Sequence, residues 1–189
     1  VLELREEGTS LNQIAVLYRA HFHARELQLE LTRRQIPFSI TSGIRFFEQA
    51  HIKDATAYLK LVTNPRDEIA FKRVAQLHPG IAAKGAEKLF KSFSRQMEDG
   101  RWQFGKEIAP DANTPSPISH LLSALLKSVP QKAAVAWAQF VATVAQLEEE
   151  KNPAKLLRIV IDAGYDDYLK ETYDNYERRL EDLDQLAAF

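Results

Sequence analysis

Apolar residues change their spacing along this chain, and the change divides it. "VLELREEG", residues 1–8, reads as a short helix stopped by Gly8, whose missing Cβ permits a left-handed cap. "IAVLY", residues 14–18, is an apolar run of strand length. From Arg25 the spacing turns helical, with Leu27 and Leu31 on one face and Gln28 and Arg34 on the other. Pro37 bars that helix from continuing, and "FSITS", residues 38–42, reads as a second strand ended by Gly43. Strand, helix and strand in that order predict a βαβ unit with parallel strands. Parallel strands need neighbours and cover on both faces, so the rest of such a sheet is expected from elsewhere.

Beyond Phe47 the strand signal vanishes. "AHIKDATAYLKLVTN" puts Ile52, Ala55, Tyr58, Leu59 and Val62 on one stripe before Asn64-Pro65 ends it. "RDEIAFKRVAQL" follows, stopped by Pro79-Gly80, and then "KGAEKLFKSFSRQM" with Leu89, Phe90 and Phe93 as its apolar face. Residues 99–117 carry Gly, Pro, Asn and Asp and read as a long loop with at most one turn near Trp102 and Phe104. "ISHLLSALLKS", "QKAAVAWAQFVATVAQLEEE", "PAKLLRIVIDAGYDDYLKE" and "YERRLEDLDQLAAF" complete about seven helices. Pro130 and Pro153 suit first-turn positions. The expected fold is mainly α: a short βαβ piece over residues 1–48, then an all-helical bundle domain over 49–189.

At 189 residues the chain is long enough to bury a real core, and its 45% hydrophobic and 27% charged residues are ordinary for a globular protein. No apolar run approaches a membrane span, and no signal-peptide pattern is present, so a soluble, cytoplasmic protein is expected. With no cysteine, disulfides and thiolate zinc sites are excluded. Val1 at one end and a helical pattern running into Phe189 at the other read as cuts through something larger, although a processed protein can also begin with Val. The net charge of −1 hides an asymmetry. Residues 51–106 hold eleven basic and six acidic side chains, a net +5, whereas 107–189 hold eight and fourteen, a net −6. A basic middle is a modest hint of a polyanionic partner, and solvated helices also carry such an excess.

Catalytic signals are absent. Neither GxxxxGK[ST] nor GxGxxG occurs. His21 and His23 could turn two imidazoles one way, but no third metal ligand is recognisable, and surface histidines explain them as well. Asp166-Asp167 and Glu148-Glu149-Glu150 sit where solvated helix ends carry charge. Binding signals are better. Tyr18, Arg19, His21 and Arg25 lie just past the end of the first expected strand, where open α/β sheets gather ligands. An arginine there can fork onto a phosphate or pair with a carboxylate such as Glu26 or Glu48. In "HPGIAAKGAEKLF", residues 78–90, a Pro-Gly turn leads to a helix opening with small residues and Lys84. That arrangement offers backbone amides and a cation to a phosphate, and it also describes a plain helix–helix turn.

One longer pattern goes further. Tyr18-Arg19, Ile36-Pro37-Phe38, Gly43-Ile44-Arg45-Phe46-Phe47-Glu48 and Ile52-Lys53-Asp54 follow one another in an order and spacing that strongly resemble UvrD/Rep/PcrA-type DNA helicases. The matching stretch there runs from the second RecA-like domain (2A) into its inserted helical domain (2B). The resemblance is dense over residues 12–90, thins through 91–170, and returns faintly at "RRLEDLDQL". It implies that residues 1–48 are a partial 2A segment and 49–189 a 2B-like domain. It implies a single-strand contact for Arg19, with His21 standing where the family has a DNA-contacting Asn, and Arg25 close by. Gly80, Ile81, Ala82 and Lys84 resemble a Gly-Ile-Gly hairpin that grips duplex backbone, with Ala82 in place of the second glycine. Arg45, Phe46, Phe47, Glu48, Lys53 and Asp54 resemble the 2A–2B junction, Phe46 and Phe47 as core and Arg45 and Lys53 as backbone contacts.

The resemblance therefore implies the DNA-engaging part of an ATP-dependent 3′–5′ DNA helicase. No catalytic residue, metal ligand or cofactor is expected within the chain, which alone should neither hydrolyse ATP nor unwind DNA. ATP and Mg would belong to the full-length parent. The implied partners are single-stranded DNA, single/double-strand junctions and the remaining helicase domains 1A, 1B and the rest of 2A, with no membrane. Two other readings stay open: the same region of a helicase-nuclease subunit, or a helical protein-interaction module.

Overall fold

A computed structural model of the chain describes residues 1–19, 24–40, 46–98 and 117–188. It divides into two compact units, Val1–Phe46 and Phe47–Phe189.

In the first unit, helix α1 (Leu2–Glu6) closes as its sequence leads one to expect. Gly8 adopts φ +91°, its N–H donates to the Arg5 carbonyl at 3.0 Å, and the Thr9 N–H reaches Leu4 at 2.9 Å. Leu11–Gln13 form a single 3-10 turn. Helix α2 (Arg25–Arg33) ends through Gln35, which takes φ +54° while the Ile36 N–H returns to the Leu31 carbonyl at 2.8 Å. Its buried face carries Gln28 and Leu29, with Leu27 and Leu31 half-buried. The expected polar position Gln28 thus turns inward, where its Oε1 accepts the Phe46 N–H at 3.1 Å. That bond satisfies an amide that would otherwise be buried unpaired.

The βαβ expectation fails here. The helix forms, but no strand does among the described residues. Residue 14 is extended (φ −100°, ψ 123°), yet residues 14–18 join no ladder, and Leu17 is 94% exposed. The second expected strand is non-helical and unpaired over residues 38–40, and its residues Thr41 and Ser42 lie outside the described residues. An apolar run shows that a segment can be extended, but a parallel strand draws its hydrogen bonds from strands on either side. The described residues supply none.

Among the described residues of the second unit every regular element is a helix, as expected. Helices α3 (Ala50–Thr63) and α4 (Glu68–Ala75) pack together, and α5 (Ala83–Gln96) packs on α4. Then come α6 (Pro117–Ala124), α7 (Ala134–Glu149), α8 (Pro153–Val160), α9 (Asp166–Thr172) and α10 (Tyr176–Ala188). Helix α3 touches α4, α7, α8 and α10 and so lies at the centre of the packing. Caps set several starts. The Asp67 carboxylate accepts from the Ala70 N–H at 2.9 Å, and the Asn152 side chain accepts from Ala154 and Lys155 ahead of first-turn Pro153. One expected helix is two, because Gly164 takes φ +111° inside a wide turn over Ile161–Tyr165 and parts α8 from α9.

An aromatic cluster fills the centre. Phe71 lies 5.0 Å from Phe93 and 6.4 Å from Trp137, which lies 5.1 Å from Phe140, all ring centroid to centroid. Trp137 is fully buried, and its indole N–H donates to the Leu122 carbonyl at 3.0 Å, tying α7 to α6. A polar clasp joins α3 to α10. Arg179 donates to His51 Nδ1 at 2.9 Å, so Nδ1 is the accepting nitrogen and Nε2–H donates to Asp182 at 3.1 Å. The Arg179 guanidinium also sits 3.6 Å above the Tyr173 ring. On the next turn of α3, Asp54 accepts from Arg73 at 2.6 Å and from the Tyr165 hydroxyl at 3.0 Å. No helix among the described residues is long and apolar enough to cross a membrane.

Candidate nucleic-acid interface

The turn between α4 and α5 is built from four residues with separate duties. His78-Pro79-Gly80-Ile81 has proline second and glycine third, and Gly80 takes φ +80°. The Ile81 N–H returns to the His78 carbonyl at 3.2 Å. These are the features of a type II turn, where the third position is left-handed and favours glycine. Ile81 is buried and anchors the turn, leaving Ala82, Ala83 and Lys84 exposed.

Helix α5 then starts without a side-chain cap. Ala82 is its N-cap residue, and a methyl group accepts nothing from the first-turn amides. Ala82 has φ −84° and ψ 173°, extended backbone that any residue adopts, so alanine stands there without strain. The start of a 14-residue helix thus presents open N–H groups and the positive end of its dipole.

Two lysines border this start. Lys84 stands in the first turn of α5. Lys132, from the 3-10 turn Gln131–Ala133, lays its side chain over Gly80, where an added Cβ would come within 2.9 Å of its Cδ and Nζ. Neither lysine pairs with a carboxylate among the described residues. The turn, the uncapped amides and two cations therefore share one exposed edge, an arrangement that can hold a phosphate. Its glycine and Lys84 are local in sequence; Lys132 was missed, since nothing near it marks the contact with Gly80.

The other candidates are scattered. Arg19 is exposed, but it stands at the end of no strand. His21 and Arg45 lie outside the described residues, as does the loop near Trp102 and Phe104. Arg25 opens α2 and is buried, so its guanidinium does not stand clear of the protein as a surface phosphate contact would. Phe46 is fully buried in the first unit, whereas Phe47 and Glu48 are exposed. Lys53 is exposed on α3, and Asp54 is buried as the acceptor for Arg73 and Tyr165.

Comparison with known proteins gives this geometry a context. DNA helicase II of Salmonella typhimurium is 28% identical over 189 residues, 97% of this chain and 24% of that protein. DNA helicase II of Haemophilus influenzae is 29% identical over 186 residues, again 97% of this chain and 24% of the relative. ATP-dependent DNA helicase PcrA of Leuconostoc citreum is 28% identical over 193 residues, covering 100% of this chain and 24% of the relative. The chain thus spans about a quarter of the length of these curated relatives. The family description "UvrD-like helicase C-terminal domain" matches residues 1–186, nearly the whole chain. On that match the chain belongs to the UvrD-like helicase C-terminal domain family.

Proposed function

We propose that this chain is the DNA-engaging region of an ATP-dependent 3′–5′ DNA helicase. Residues 49–189 contact duplex backbone through Gly80, Ala82 and Lys84, with buried Ile81 anchoring the turn rather than touching DNA, and residues 1–48 contact single-stranded DNA through exposed Arg19. The observation that carries this reading is the uncapped start of α5 behind the Gly80 turn, flanked by Lys84 and Lys132 in a chain of this family. Amides and cations on phosphate position a protein without reading sequence, which suits a motor that must act on any DNA.

No GxxxxGK[ST] loop occurs in the chain, and no three His, Asp or Glu side chains among the described residues group as metal ligands would. Nucleotide chemistry is assigned to domains 1A, 1B and the rest of 2A in the parent protein, whose partners are single-stranded DNA and single/double-strand junctions.

A contact through about three phosphates should make affinity fall roughly 40-fold between 50 and 200 mM salt. Anisotropy titration of a tailed duplex at both salts measures this. Lys84→Ala should weaken binding alike for unrelated sequences and lower the salt slope by about one. Affinity unchanged by salt, or by exchanging both Arg19 and Lys84 for alanine, overturns the reading and favours a helical protein-interaction module.

A further inference from the structure

A cavity of about 330 Å³ opens beside the same turn, between α3, α7 and residues 160–171, and the DNA reading makes no use of it. Its size lies at the lower end of small-ligand sites, roughly 300–1,000 Å³. Its walls are aromatic and acidic. Tyr58 and Phe140 meet edge to face at 5.8 Å, and Tyr168 stacks on Tyr165 at 5.5 Å. Asp167 and Glu171, one turn apart on α9, bring two carboxylates to the lining, and no lysine or arginine joins them.

The lining also holds the imidazole of His78. Burial pushes its imidazole down to about 4, so it is neutral near pH 7. Its Nε2 is buried with no hydrogen-bond partner. Being uncharged, this imidazole puts no positive charge in the wall that would repel a cation. Glu171 has no ion-pair partner among the described residues. Asp167 shares Lys170, at 3.1 Å, with Asp166, at 2.8 Å, so Lys170 can stay with Asp166 when Asp167 is engaged.

We propose that this cavity is a binding site for a guanidinium cation. Ring faces attract cations and stack on a planar guanidinium. Two carboxylates accept its forked N–H donors. A guanidinium has five donors and no acceptor of its own, which suits a lining whose charged side chains are acceptors. An anion would meet two carboxylates and only Lys170, which Asp166 and Asp167 already share, and a purely apolar ligand would bury the Glu171 carboxylate unpaired.

The test uses the whole chain without DNA, so its result is separate from that of the DNA reading. Blocked arginine (N-acetyl-arginine methylamide), free arginine and blocked citrulline, the neutral counterpart, are titrated against the isotope-labelled chain. Blocked arginine is expected to bind saturably at around 1 mM, shifting resonances of His78, Gln139 and Tyr168, with blocked citrulline at least tenfold weaker. The double variant Asp167→Asn/Glu171→Gln changes exposed carboxylates on an intact helix and should weaken arginine binding tenfold or more while the circular dichroism spectrum stays the same. Blocked arginine binding as well as the free amino acid points to an arginine side chain of another polypeptide; tighter binding of the free amino acid points to arginine itself. Equal affinity for arginine and citrulline, an unaffected double variant, or no saturable shift overturns the proposal.

Discussion

Replacing Trp137 with alanine is expected to cost about 3–5 kcal/mol of folding stability. The ring is fully buried among Phe71, Phe140 and His78, with centroids 6.4, 5.1 and 5.6 Å away. Its removal leaves a void that packed neighbours on three helices refill only in part. It also strands the Leu122 carbonyl that the indole N–H serves. Domains of this size are typically stable by about 5–15 kcal/mol, so this single change removes a large share of the total. Trp137→Phe separates the two contributions. It keeps an aromatic ring but deletes the donor, and should cost about 1–3 kcal/mol through the unpaired carbonyl and the smaller volume. Urea unfolding of the three proteins measures both. An alanine variant within about 1 kcal/mol of the parent would contradict the assignment of Trp137 as the centre of the core.

The second large effect is expected at the clasp between α3 and α10. Asp182→Ala removes the acceptor of the fully buried His51 Nε2–H and leaves that donor in a dry interior. The cost should be about 2–3 kcal/mol. Arg179 holds the other ring nitrogen, so the imidazole cannot switch tautomer to escape. A double-mutant cycle with His51→Ala should therefore return a coupling energy of at least about 1 kcal/mol. Strict additivity would show that the two side chains stabilise the fold separately. Since the pair joins α3 to the last helix, loosening it should free α10 first, which amide hydrogen exchange along 176–188 would register.

Much of the helical unit was readable because its signals are local. Apolar residues three and four apart predict a buried stripe wherever a helix packs, and Phe71, Phe93, Trp137 and Leu183 are all buried. Pro79-Gly80 and Gly8 punctuate because their allowed dihedrals differ from those of other residues. Gly164 carried the same signal inside a strongly periodic stretch, where periodicity hid it until φ +111° exposed the break. The expected strands failed for a non-local reason. Residues 14–18 have strand composition, but pairing depends on partners that composition cannot supply. The site divides in the same way. Lys84 and the Gly80 turn are adjacent in sequence and were legible together. Lys132 reaches that turn from fifty-two positions away, and the aromatic and acidic cavity draws on residues from Tyr58 to Glu171.

DNA phosphate is proposed to sit on the open amides at the start of α5. Titrating the isotope-labelled chain with a short tailed duplex at low salt, and following each backbone amide, tests it most directly. The amides of Ala82, Ala83 and Lys84 are expected to move most and to return as salt is raised. Those three signals standing still while amides elsewhere in the chain shift would contradict it.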